Sequence, residues 1–352
     1  MRWSDLRTRI PRLDEAAMVH ARNRQQQLTK PPGSLGRLED VAVHLAGIQA
    51  TPRPRVQRKV FLVMAGDHGV TAEGVSPYPS EVTAQMVLNF LRGGAAISVL
   101  ARWQQARLWV VDVGVDADLP EHPGLWIEKV RRGTGNIARE PAMRREEAEA
   151  ALDVGVRAVE RAAAEAGMDV LVLGEMGIGN TTPATALAAV FTGQPVERLV
   201  GRGTGLDDAG LARKRAVIER ALALHQPDPR DPVAVLAAVG GLEIAALAGA
   251  MLAAAARRVP VMLDGFIATA AALVATALAP RVRDYLIPGH RSAEGGHGLM
   301  LAHLGLEPLL QLGMRLGEGT GAAVALAVVE AACRLHNEMA TFAEAGVSEA
   351  EA

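Results

Sequence analysis

Short apolar runs rich in β-branched residues recur along this chain, each followed by a glycine-rich loop and then an Ala-rich stretch of helical character. "KVFLVMAGDHGV" opens the series at Lys59, and "RLWVVDVGV" follows at Arg107. "DVLVLGEMGIGNTTPATALAAV" gives the full order from Asp169, and "VPVMLDGFIATAAALVATAL" repeats it from Val259. "RDYLIPGHRSAEGGHGLM" repeats it once more from Arg283. Such units in series predict an α/β fold, a mostly parallel sheet with helices on both faces. Ligands of such sheets bind at the carboxyl ends of the strands, so the glycine-rich loops would share one edge.

The two ends of the chain carry a helical pattern instead. Residues 1–50 are helical with a break at "KPPGSLGRLE", and the chain is helical again from Gly319 to Ala343. These flanks predict a small helical domain built from residues 1–50 and 319–352, beside a large α/β domain over 51–318. The apolar run Ile244–Ala256 is too short for a membrane span and predicts a buried helix.

Composition narrows the function classes. Of 352 residues 49% are hydrophobic but only 3% aromatic, so the core must be aliphatic and Ala-rich. A formal net charge of -2 argues against a general binder of nucleic acid or membrane surfaces. The single cysteine, Cys333, allows no internal disulfide and fits a cytoplasmic setting, and "MRWSDLRTRIPRLDEAA" lacks the apolar core of a signal peptide.

Several loops carry candidate chemistry. In "MRLGEGTGAAVALAVV" the acid Glu318 stands between glycines at the start of an apolar helix. It is either a helix-end acid, favoured by the positive end of the helix dipole, or an acid or base in a loop that a ligand approaches closely. "GIGNTT" at Gly177 predicts a helix starting near Thr182, with backbone N–H groups and Asn180, Thr181 and Thr182 suited to a phosphate. Its match to the dinucleotide fingerprint is poor, because Thr182 stands where the third small residue belongs. "GEGTGA" fits GxGxxA but comes late, and no GxxxxGK[ST] occurs.

"GRGTGLDDAGLARK" sets Arg202 and Lys214 near a glycine-rich loop, either for an anionic partner or as a solvated helix face. His290, Glu294 and His297 have the spacing of a metal-binding helix face, weakened by Gly295 and Gly296. Asp67 and His68 could serve acid–base chemistry, ligation or a well-bonded turn, and Glu175 ends a strand ahead of a GxG loop.

Taken together, "KPPGSLGRLE", "AGDHGV", "EGVSPYPSEVTAQMVLNFLRGGAAI", "GEMGIGNTTPA", "GRGTGLD", "LDGFI", "GHRSAEGGH" and "RLGEGTGA" resemble the nicotinate-nucleotide–dimethylbenzimidazole phosphoribosyltransferases, in order from about Lys30 to Leu326. The resemblance implies a Rossmann-like large domain, a small helical domain from both chain ends, and a homodimer. It implies transfer of phosphoribose from nicotinate mononucleotide to 5,6-dimethylbenzimidazole, with inversion at the anomeric carbon, in assembly of the cobalamin lower ligand. It implies small-molecule substrates, no cofactor and no metal.

By the same resemblance Glu318 is the proton acceptor and Glu175 an acid near ribose and base. Ser80, Gln85, Met86 and Leu316 would line the benzimidazole pocket, while Gly177, Gly203, Lys214 and Ser292 would contact the nucleotide and its phosphate. Two other classes remain to be weighed: a nicotinamide-dependent oxidoreductase using a GxG loop, and a non-enzymatic nucleotide-binding module that would not need Glu318.

Overall fold

The computed structural model describes residues 1–348. Six strands form one parallel sheet: β1 Lys59–Gly66, β2 Arg107–Gly114, β3 Leu125–Ile127, β4 Val170–Met176, β5 Val261–Leu263 and β6 Leu286–Pro288. Their order is β3-β2-β1-β4-β5-β6, the arrangement of doubly wound nucleotide-binding sheets. β1 and β4 are buried along nearly their whole length, as a sheet covered on both faces requires. Five of the strands are those the apolar runs predict. The sixth, β3, is an edge strand of three residues in "GLWIEKV", too short to show a periodicity.

Helix Leu242–Ala256 is buried along almost its full length and packs on helix Arg145–Ala166. Two glycines explain how an Ala-rich core closes with so few aromatics. A side chain at Gly155 would stand 1.9 Å from the Ala246 carbonyl oxygen, and one at Gly249 would stand 1.9 Å from that of Leu152. The two backbones therefore touch directly, and dense small-residue packing replaces large side chains.

At the chain ends, helices Glu15–Gln27 and Arg37–Gln49 pack on each other, and the second also packs on helix Thr320–Glu338. Leu28 bridges to Thr341, and the Arg24 guanidinium donates to the carbonyls of His336 and Met339. A small cluster of Ala21, Val43 and Ala46 with Met18 stands apart from the main core. The short helix Trp3–Leu6 lies elsewhere, against Leu242–Ala256 and Arg145–Ala166. Residues 349–352 of the expected helical domain lie outside the described residues.

One apolar stretch, Glu81–Trp103, has the length and composition of a membrane span, with a third of its window buried. Gly93, at φ +78, divides it into helices Glu81–Arg92 and Ala96–Trp103, each shorter than the roughly 20 residues a bilayer requires.

Candidate active site

The carboxyl ends of β4, β5 and β6 open into a cavity of about 650 Å³. Glu175 ends β4, Asp264 follows β5, and His290 and Ser292 follow β6; all four line it. Helix Glu81–Arg92 supplies one wall through Val82 and Met86, one turn apart on the same face. Thr83 ties that wall to the glycine loop by accepting the Ile178 N–H at 3.1 Å. Tyr78 and Leu316 stand at the mouth, 52% and 59% exposed. Neighbouring crevice space at the tips of β1 and β4 is filled by His68, whose Nε2 would lie 3.1 Å from a side chain at Gly177.

Seven of the expected site residues line the cavity: Met86, Glu175, Gly177, Gly203, Ser292, Leu316 and Glu318. Three do not. Ser80 sits on the turn before helix Glu81–Arg92, with its hydroxyl 3.0 Å from that of Thr71. Gln85 is exposed and does not line the cavity, although it stands three residues after Val82 on the same helix. Lys214 lies one layer behind the wall, fully buried, and Nζ donates to Thr181 Oγ1 at 2.7 Å and to the Gly201 carbonyl at 3.0 Å. It is not the solvated lysine that its helix composition also allowed. Burial lowers its pKa to about 8, against the opposing charge of Glu294.

Glu318 reaches the cavity at 7% exposure and accepts one hydrogen bond, from the Ile97 N–H at 3.3 Å. Burial raises its pKa above the ordinary carboxyl value, against that hydrogen bond, and Asp264 raises it further. Burial thus outweighs the Ile97 N–H donor. Glu175 lies beside it, so close to Gly317 that a side chain there would stand 2.5 Å from Glu175 Oε1. Burial first and Asp264 next push Glu175 up to about 8, although Asn180 Nδ2 donates to its Oε2. Glu175 therefore keeps its proton at neutral pH, and Glu318 beside it is raised as well.

The glycine loop Gly201–Gly205 closes the far end of the cavity. Its Gly203 N–H donates to Glu294 Oε1 at 2.8 Å, and its Gly203 carbonyl accepts from Arg315 Nη1 at 2.9 Å. Lys214 Nζ would lie 3.3 Å from a side chain at Gly203. Two cations, Lys214 and Arg315, and one acid, Glu294, thus flank this loop.

The metal-like spacing of His290, Glu294 and His297 does not become a metal face. Only His297 is helical, as the first residue of His297–Leu304. Its Nδ1 accepts the Ser292 N–H at 2.8 Å, and its Nε2 faces Thr269 Oγ1 at 2.9 Å, a hydroxyl that donates to the Gly265 carbonyl at 2.8 Å. Both ring nitrogens are occupied, and burial, helped by His290, holds the ring neutral with a pKa of about 3. No metal-ligating cluster occurs among the described residues. Asp67 and His68 likewise serve the interior: His68 Nε2 lies 2.8 Å from Glu243 Oε1 in a fully buried pair, and Asp67 Oδ2 accepts the Asp116 N–H at 2.8 Å.

The other GxG reading fails on the same ground. In "GEGTGA" the N–H groups of Gly319 and Ala322 already donate to Asp264, at 3.1 and 3.0 Å, so a pyrophosphate would find them taken. Asp264 itself is the residue sequence reasoning passed over. Its signal was present: an acid directly after an apolar strand, as with Glu175.

Comparison with known proteins agrees with this geometry. A family model described as phosphoribosyltransferase matches residues 10–347. The nicotinate-nucleotide–dimethylbenzimidazole phosphoribosyltransferase of Chloroflexus aggregans is 59% identical over 337 residues, covering 96% of this chain and 95% of that protein. Its namesake from Geobacter sulfurreducens is 55% identical, covering 98% and 97%. The crystal structure of CobT from Thermus thermophilus superposes with a TM-score of 0.92 at 52% identity, over 95% of this chain and all of that one. The chain belongs to the phosphoribosyltransferase family of these proteins.

Proposed function

We propose that this enzyme transfers the phosphoribosyl group of nicotinate mononucleotide to 5,6-dimethylbenzimidazole, giving α-ribazole 5′-phosphate and nicotinate. The observation that carries the mechanism is a carboxylate, Glu318, placed in a largely apolar cavity with a single weak hydrogen-bond donor. One benzimidazole nitrogen attacks C1′ with its lone pair. The bond from C1′ to the pyridinium nitrogen breaks, and its electron pair stays on nicotinate. The attacking ring then carries the positive charge, and its other N–H gives its proton to Glu318. The leaving ring is a pyridinium whose nitrogen is neutralised as it takes the bond pair, so neither a strong acid nor a metal is needed to expel it.

The remaining residues bind and orient. Met86 and Leu316 suit the flat faces of the benzimidazole. Phosphate fits beside Gly203, with Lys214 behind the wall as its buried counter-charge. Glu175, protonated at neutral pH, has Oε1 free to donate to a ribose oxygen while Asn180 holds Oε2. The acids around the cavity also favour the positive charge that passes from pyridinium to benzimidazolium.

Nicotinate release is the test. It should require the benzimidazole and match product formation mole for mole. Release without acceptor would make this a hydrolase, and hydride transfer to a nicotinamide would make it an oxidoreductase.

The pH dependence follows from three shifted groups, Glu318, Lys214 and Glu175, the last losing the proton it donates to ribose as pH rises through about 8. The base must be ionised, so kcat/KM falls with decreasing pH through the raised pKa of Glu318, an acid limb above 4.5. Lys214 must be charged to hold phosphate, so KM for the mononucleotide rises with increasing pH through about 8. A kcat/KM that holds its full value down through pH 4.5 would contradict the Glu318 assignment, and a mononucleotide KM unchanged through pH 8 would contradict that of Lys214.

We further propose a homodimer, supported by the exposed apolar Tyr78 and Leu316 at the mouth. The helices of the two chain ends, with their separate Met18, Ala21, Val43 and Ala46 cluster, form the small domain in this reading. A cytoplasmic setting fits the one cysteine, Cys333, whose buried thiol is pushed up to about 11.

A further inference from the structure

Glu318 belongs to no strand and no helix. It is the middle one of three consecutive residues in the left-handed region, with φ +85 at Gly317, +63 at Glu318 and +91 at Gly319. For the glutamate this costs on the order of 1 kcal/mol or more, and such a backbone persists only where its surroundings hold it. Gly174 in β4 provides one constraint, since a side chain there would stand 2.0 Å from the Glu318 carbonyl oxygen.

Asp264 provides the other. It is 2% exposed at the tip of β5 and accepts the Gly319 N–H through Oδ2 at 3.1 Å and the Ala322 N–H through Oδ1 at 3.0 Å. These donors open helix Thr320–Glu338, whose N-cap residue, Gly319, has no side chain to cap with. Asp264 supplies the missing carboxylate from the tip of β5. Glu318, one residue before Gly319, makes no bond to these amides and accepts only the Ile97 N–H.

We infer that Asp264 is a positioning residue for the transfer reaction: by holding the Gly319 and Ala322 amides it locks the Glu318 turn and leaves the Glu318 carboxylate free for the substrate proton. This rests on Glu318 being the proton acceptor. Asp264 also lines the cavity, so direct contact with substrate is the competing role.

A double-mutant cycle separates the two roles. Asp264→Asn keeps the shape but turns an NH₂ toward one of the amides. It should lower kcat about 10–100-fold, the loss expected of a misplaced catalytic group, and leave KM for nicotinate mononucleotide within about twofold. In a Glu318→Gln background the same change should cost less than about threefold, because the residue it positions is already disabled. Asp264→Ser, which retains one short capping oxygen, is carried through the same cycle and should lose less than Asp264→Asn.

Undiminished kcat in either folded single variant would overturn the inference, as would a lowered melting temperature with kcat unchanged. A full multiplicative loss in the Glu318→Gln background would also overturn it and assign Asp264 to the substrate. Undiminished turnover in Glu318→Gln alone would remove the proton-acceptor reading and this inference with it, a result distinct from all of these.

Discussion

Glu318→Gln lowers the single-turnover rate by about 10²–10⁴, the usual cost of losing a general base. Glutamine keeps the length and still accepts the Ile97 N–H, but it cannot take the benzimidazole proton. The left-handed turn is equally open to it, because Gly317 and Gly319 and the Asp264 cap are untouched. Melting temperature and mononucleotide affinity should therefore change little, since the proposed phosphate site is at the Gly203 end of the cavity. Near wild-type turnover would leave Glu318 without a chemical role.

The second large effect is at the phosphate. Lys214→Met removes the buried cation but keeps the length and apolar stem of the side chain. Stranding one partner of a buried charge pair costs roughly 2–5 kcal/mol, so KM for the mononucleotide should rise by about 10²-fold or more. The benzimidazole binds elsewhere, and its KM should stay within about threefold of wild type. Thr181 Oγ1 and the Gly201 carbonyl also lose their donor, so the variant should melt lower. Steady-state kinetics with each substrate varied in turn measure this directly, and equal changes in both KM values would place the phosphate away from Lys214.

Much of this was legible in the chain because the sheet has a simple rule. A continuous apolar run followed by a glycine-rich loop marks a strand whose carboxyl end faces ligand, and five of the six strands announce themselves that way. The GIGNTT helix was expected near Thr182 and begins at Thr181. What escaped depends on phase or on contacts between distant segments. Gln85 and Met86 stand three and four residues after Val82, both near its helix face, yet only Met86 lines the cavity. Lys214 falls in phase with Gly210, Val217, Ile218 and Ala221, the buried stripe of helix Asp208–His225, so its burial was written in the spacing.

Asp264 could not be tied to Glu318 from sequence, because 54 positions separate them and only β5 brings them together. The histidine spacing would make a metal face only on one continuous helix, and Gly295 and Gly296, which weaken that reading in the sequence, stand in a loop that His297 pins through its own ring.

The account rests on one displacement at C1′, with the benzimidazole nitrogen entering opposite the departing nicotinate. The product's anomeric configuration reports this directly. Nicotinate mononucleotide and 5,6-dimethylbenzimidazole are incubated with the enzyme, and the purified nucleotide is examined by proton NMR at C1′. The α anomer, inverted from the substrate, is the predicted result. A β-configured product would contradict direct displacement and require an intermediate between the two rings.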